Sequence, residues 1–432
     1  MLSLVGIIIA LAALIFLAMK GFNIIIISPL LSIFVMLMSG MELIPTLTGA
    51  YMNSFAGFAT NFFLVFMLGA VFAKLMEDSG AAKSIANSII RLIGETNKFA
   101  IIVAIMVITA ILTYGGISLF VCIFAVMPIA RPLFKKMDIP WGLFLGAAMT
   151  GLGTFTMTSL PGTPQIQNVI PTTVLGTTLT AAPVIGIISA AVVIAFDLWW
   201  LRYEMKKLER RGIGFEATKG SIVDIEVPEG EEEHLPHVIL SLVPPVFLLV
   251  VLNVLKWSIV GGLLVTCILA TVIFFKFYKN PLKTVNTGAF NVGGAILNTC
   301  AIVGFGGVVA TTVGYQHLVN LLVNMPGNPL ISWTVGINLL AGVTGSASGG
   351  LTIAMNTLAP LYADLVNPEV LHRIGAIASG GLDSLPHNGA VITTLTVCGL
   401  THKEGYKYVG MTCCVGPIIA SIVAIIASSI LY

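Results

Sequence analysis

Thr154-Phe155-Thr156-Met157-Thr158-Ser159-Leu160-Pro161-Gly162-Thr163-Pro164-Gln165-Ile166-Gln167-Asn168 cuts one apolar stretch in two, and Asp383-Ser384-Leu385-Pro386-His387-Asn388-Gly389 does the same to a second, late in the chain. Pro161 and Pro164 fall within a single span. Proline fixes φ and has no backbone N–H, so neither residue can continue a helix normally. Ser-Leu-Pro recurs at the equivalent place in both stretches. Interrupted backbone is costly in lipid, where no water satisfies its N–H and C=O groups. It persists where protein or a water-filled cavity surrounds it.

The sequence around the two breaks is that of a membrane protein. The chain has 432 residues, 57% hydrophobic and 9% charged, with a mean hydropathy of +1.01. Soluble domains carry roughly 25% charged residues. Runs at 2–19, 24–38, 184–200, 238–255 and 258–275 approach the ~20 residues that a helix needs to cross the hydrocarbon core. The first charge, Lys20, follows the first run, so that run reads as a retained span and not as a signal peptide. The six cysteines lie in apolar sequence without a Cys-x-x-Cys pair and read as small packing residues. The net charge of +2 says little about partners, and no nucleic-acid partner is expected.

Lys and Arg collect on the cytoplasmic side. A path that enters the cytoplasm at Lys20 puts Lys83, Arg91, Lys98, Arg131, Lys135, Lys136 and the basic cluster from Arg202 to Arg211 inside. Two apolar pieces between Lys98 and Arg131, parted by Thr113-Tyr114-Gly115-Gly116, are short for full crossings. A re-entrant hairpin over about 98–131 satisfies both their length and their flanking charge. In the second half, pieces flanking Gly345-Ser346-Ala347-Ser348-Gly349-Gly350 read as a hairpin over about 330–362, entered from outside. On this path only Lys256 and Arg373 among the basic residues lie outside.

The expected fold is an all-α polytopic membrane protein of two inverted repeats, each with a re-entrant hairpin and a broken transmembrane helix. The first repeat covers 1–201, with its broken helix at about 141–170. A cytoplasmic linker covers 202–237, and the second repeat covers 238–432, with its broken helix at about 372–396. Inverted repeats with paired broken helices point to a transporter site near the midplane.

Helix ends freed by the breaks present N–H groups and a partial positive charge, and can receive a carboxylate without a basic side chain. On this reading the core contains no Lys or Arg. The expected substrate-binding residues are Tyr114, Gly115, Gly116, Ser118, Thr156, Thr158, Ser159, Thr163, Gln165, Asn168, Ser346, Ser348, Gly349, Ser384, His387 and Asn388, with Gln167 beside them. Asp383 and His387 are the expected coupling-ion residues. A carboxylate deep in a span costs about 2.5–3.5 kcal/mol on insertion scales, so Asp383 reads as functional. It can take up a proton, or help hold sodium with carbonyls of the break. Asp197, beside Trp199 and Trp200, reads as interfacial.

The stretches 112–120, 154–168 and 381–389 resemble the gluconate permease family of the ion transporter superfamily, most closely its 3-hydroxybutyrate permease branch. The resemblance covers nearly the whole chain. It implies proton-coupled uptake of a small hydroxy monocarboxylate, two hairpins, two broken helices and a homodimer in a bacterial cytoplasmic membrane. Related members take gluconate, other sugar acids or D-serine. Sodium-coupled superfamily relatives carry Ser-Asn-Thr at the hairpin tips, where this chain has Tyr-Gly-Gly-Ile-Ser and Gly-Ser-Ala-Ser-Gly. An enzyme is disfavoured: there is no Gly-x-Ser-x-Gly elbow, His-Glu-x-x-His or P-loop. No cofactor is expected. A channel is the remaining alternative, and it would show no saturation or counterflow.

Overall fold

The computed structural model describes residues 2–20, 22–93, 97–117, 119–220, 235–323, 325, 327–386 and 388–432. Ser118, His387 and the acidic run of the linker lie outside these residues. Among the described residues every regular element is helical.

The first half opens with α1 (Leu2–Met19), α2 (Ile24–Ser39) and α3 (Leu43–Asp78). Next come α4 (Ala81–Ile93), α5 (Lys98–Tyr114) and α6 (Leu119–Lys136). It closes with α7 (Gly142–Gly153), α8 (Ile166–Leu175) and α9 (Pro183–Arg210). The second half runs through α10 (Val238–Asn253), α11 (Ile259–Ile273), α12 (Pro281–Ala310) and α13 (Val313–Val323). It ends with α14 (Pro329–Thr344), α15 (Ala347–Thr357), α16 (Pro368–Ser379), α17 (Gly389–Val397) and α18 (His402–Leu431). Four of these, α3, α9, α12 and α18, are long and apolar enough to cross a membrane, and several more are shorter and apolar.

Local chemistry explains the boundaries. Asn97, Asn328 and Asn367 each cap a helix by accepting a hydrogen bond from a free N–H of its first turn. Pro329 and Pro368 follow two of these caps at the first helical position, where the missing N–H costs nothing. The spans differ in length from the sequence expectation. α3 starts at Leu43, well before the continuous apolar sequence that follows Asn61, because the weakly polar stretch from Thr46 to Asn61 still winds as a helix. α9 continues to Arg210, so the first residues assigned to the linker are its last turns.

α3 and α12, one from each half, pack along their length, with Gly288 against the backbone of Val71. The apolar core gathers around both. One cluster joins α3, α5, α7 and α11, and another joins α3, α8, α15 and α16. α5 and α6 form a tight helical pair joined at Gly115-Gly116, and α14 and α15 form another joined at Gly345-Ser346. Gly116 has φ +90°, which only glycine adopts readily, and its Cα faces Leu248 of α10 so closely that a Cβ would come within 2.9 Å of Cδ2. At the other pair a Cβ on Gly350 would collide with the backbone of Ala341.

On the cytoplasmic side of the sequence-derived path, Glu204 of α9 is buried and receives both Lys207 (3.3 Å) and Lys407 of α18 (2.6 Å). All six cysteines are free and buried, in keeping with a packing role.

Candidate functional site

Both interrupted helices are present. α7 ends at Gly153, a wide turn covers Phe155–Ser159, and Leu160 is extended (φ −65°, ψ 128°) before Pro161 and Pro164 carry the chain to α8. α16 ends at Ser379, residues 380–386 are irregular, and Asn388 caps α17 by accepting from Ala390 N (2.6 Å) and Val391 N (3.0 Å). The two breaks meet: a Cβ on Gly380 would lie 3.0 Å from Thr158 Cγ2. Thr156, Thr158, Ser159 and Thr163 are all buried there.

The first helical pair is wired to the first break. Tyr114 Oη donates to Pro161 O (2.9 Å), and Gln165 Nε2 donates to Thr113 O (2.7 Å). Gly115 and Gly116 form the tip that makes this approach possible. Several hydroxyls turn inward on their own helix. Thr158 donates to Thr154 O (3.0 Å) and Thr156 to Gly151 O, while Thr163 Oγ1 accepts from Gln165 N (3.4 Å).

Asn168 is the hub of the first break. Its Nδ2 donates to Thr163 O (2.9 Å) and Leu179 O (2.8 Å). Its Oδ1 meets Arg373 Nη1 (3.0 Å) and His372 Nε2 (3.0 Å). Two donors and two acceptor sites exhaust a carboxamide. The two carbonyls fix the amide's orientation, so His372 must donate from Nε2. Its Nδ1, 2.6 Å from Thr177 Oγ1, then accepts the threonine proton.

Arg373 corrects the sequence expectation. It was placed outside, and the core was expected to hold no basic residue. It is completely buried on α16, donating from Nε to Ala181 O (3.0 Å) and from Nη2 to Leu179 O (3.1 Å) besides its bond to Asn168. Among the described residues no carboxylate lies within ion-pair distance of it. Its stem and the carbonyl of Ser159 lie against the same glycine, Gly186 of α9. The signal for it was available: Asn367-Pro368-Glu369 is a helix start, which puts Arg373 in the second turn of an apolar helix.

The second break holds the acid. Asp383 is buried; its Oδ1 accepts from Ser384 Oγ (3.1 Å), and its backbone carbonyl accepts from Asn388 Nδ2 (2.8 Å). Gly381 and Leu382 lie against Asn338 and Gly342 of α14, so the second helical pair abuts the second break. The tip residues of that pair serve it locally. Ser346 Oγ accepts from Gly349 N (3.1 Å) and lies 3.3 Å from Ser348 Oγ. Asp197, expected at the interface, is completely buried instead. Thr150 donates to its Oδ2 (3.0 Å), and its Oδ1 faces Gly416 of α18 with no partner among the described residues. The continuation of α9 to Arg210 carries Asp197 away from the helix end.

Known transporters share sequence with this chain, two of them over most of its length. An uncharacterised transporter of Bacillus subtilis is 37% identical, with 94% of each chain covered. An uncharacterised transporter of Haemophilus influenzae is 25% identical, with 81% of this chain and 80% of that one covered. A gluconate permease of Bacillus licheniformis is 33% identical over 23% of this chain and 21% of its own. The profile of the GntP family permeases matches residues 2–430. Two interrupted helices that meet in a polar, buried contact thus lie in a multi-pass transporter of the bacterial cell membrane, and the chain belongs to the GntP permease family.

Proposed function

We propose that the protein is a symporter that accumulates a short hydroxy monocarboxylate together with a proton. The observation that carries this reading is Arg373, a buried guanidinium without a carboxylate partner beside the meeting point of the breaks. An uncompensated buried cation favours an anionic occupant. The freed helix ends add N–H groups of the same sign. Asp383, buried in the opposite break where its carboxyl accepts from the Ser384 hydroxyl, supplies a group whose charge can change with the carried ion. Alternating exposure of the contact between the halves would complete the cycle.

3-Hydroxybutyrate is the favoured cargo from the resemblance of the breaks to that branch. Gluconate is the second reading, favoured by the similarity to the Bacillus licheniformis gluconate permease. The expected inverted repeats, re-entrant hairpins and homodimer belong to the same proposal. Uptake of each labelled acid into proteoliposomes, under separate proton and sodium gradients, tests it. Asp383→Asn should abolish accumulation driven by a pH gradient while leaving exchange of labelled for unlabelled acid. Unchanged pH-driven accumulation in that variant removes Asp383 from coupling, and accumulation on a sodium gradient alone replaces the proton.

A further inference from the structure

A cavity of about 290 Å³ lies between α3, α8 and α15, beyond the site just described. Its polar wall is made by Asn53, Ser54 and Asn61 of α3, Thr173 of α8, and Thr352 and Asn356 of α15. Asn53, Gly57 and Asn61 are four residues apart and share one face of α3, as Thr352 and Asn356 do on α15. Phe58 and Met355 form an apolar floor. Among the described residues the three asparagine side chains have no hydrogen-bond partner in the protein, and no charged residue lines the space.

Asn53, Asn61 and Asn356 are all exposed, so the cleft is open, and three carboxamides on its wall would be poorly satisfied by a lipid tail, since unpaired polar groups are costly in hydrocarbon. Water fits: each molecule takes about 30 Å³, so several can be held. A hydroxy acid fits as well, because a carboxamide donates to a carboxylate and accepts from a hydroxyl. Neutral donors also hold an anion loosely, which suits passage better than storage. The cavity adjoins the site along two walls. Its α8 wall begins two residues beyond Asn168, at Ile170, and Thr352 Oγ1 donates to the carbonyl of Ser348 at the tip of the second helical pair (2.8 Å). The cavity lies toward the end of α3 opposite Lys74, which the basic residues place outside.

We infer that this cavity is the external vestibule through which a short hydroxy carboxylate reaches Asn168 and Arg373, and that Asn53, Asn61 and Asn356 select for it. The inference rests on the transport reading above.

Gly57 allows a direct test. A Cβ there meets nothing within 4 Å, and the native cysteines are all buried. Gly57→Cys is expressed in cells and treated from outside with a membrane-impermeant anionic methanethiosulfonate. Uptake of labelled 3-hydroxybutyrate or gluconate should fall at least ~10-fold relative to the same variant before treatment, the scale of losing one charge-assisted hydrogen bond or more. Saturating unlabelled acid should slow the modification. Asn61→Leu and Asn356→Leu should each raise KM roughly 10-fold, with maximal rate and Tm retained. No modification from outside, modification without loss of uptake, or modification that the acids do not slow overturns the inference. Unchanged KM in both asparagine variants overturns the selective role. Wild-type protein that accumulates neither acid overturns the transport reading as well, whereas wild-type uptake beside an unaffected labelled variant overturns the vestibule alone.

Discussion

The two breaks use one backbone device and dress it with opposite charge. In each, an asparagine donates from Nδ2 to the carbonyl five residues earlier, Asn168 to Thr163 and Asn388 to Asp383. That bond closes the irregular loop and sets the start of the following helix. Beyond this the breaks diverge. Asn168 spends its remaining capacity on a second carbonyl and on His372 and Arg373, which reach it from the other half of the chain. Asn388 spends its oxygen on two N–H groups of its own helix. The first break is cross-linked and carries a fixed cation. The second is locally closed and carries an acid whose one side-chain partner among the described residues is the Ser384 hydroxyl. A group that must change protonation gains from few partners, because each bond favours one state over the other. A group that must hold an anion gains from many.

The sharpest way to break this comparison is Arg373→Gln. If the fixed cation receives the cargo, uptake should fall roughly 100-fold or more, the scale of two charge-assisted hydrogen bonds. Arg373→Lys should not restore it, because an ammonium cannot reproduce the planar fork that bonds Ala181, Leu179 and Asn168. Transport assays in proteoliposomes decide this, and near-normal uptake by either variant would reduce Arg373 to a structural pin.

A smaller effect separates the two asparagines. Asn168→Ala should destabilise by about 3 kcal/mol, since it strips a buried guanidinium of a partner and leaves two carbonyls short of a donor. Asn388→Ala should cost about 1–2 kcal/mol, the range for a lost helix cap plus one further bond. Thermal unfolding of the purified protein measures the difference. Equal losses would mean that the cross-half bonds add nothing to the shared device.

The smallest effect probes the contact between the breaks. Gly380→Ala brings a methyl group to within 3.0 Å of Thr158 Cγ2, so KM should rise a few-fold. Thr158→Ser removes that methyl and should restore the lost affinity in the double variant. Independent effects in such a cycle would show that the breaks do not communicate there.

The breaks and the first tip were legible because proline and glycine leave marks that no apolar context hides: Pro161 and Pro164 cannot sit in a continuing helix, and Gly162 of the first break and Gly116 of the tip adopt a conformation that other residues avoid. The polar residues of the first break were legible as a cluster. Their partners were not. Arg373 was placed outside, at the outer end of the broken helix, because counting basic residues by side treats each one as a marker of water, whereas a guanidinium with three oxygen partners can stay buried. Asp197 was misplaced for a related reason: the end of α9 was set by where charges begin, yet charged residues continue the helix to Arg210. Asn53, Asn61 and Asn356 drew no notice, because a lone amide in an apolar span carries no motif. Their meaning comes from three helices that sequence order keeps apart.

The ion cluster at Glu204 has a mechanical consequence. α9 and α18 close the first and second halves of the chain, and Lys407 of one grips the buried carboxylate of the other. With Gly416 packed on Asp197 further along the same pair, the two closing helices are riveted at two heights. On the transport reading, these contacts tie the two helices into a single strut, and a sliding surface is to be sought elsewhere in the molecule.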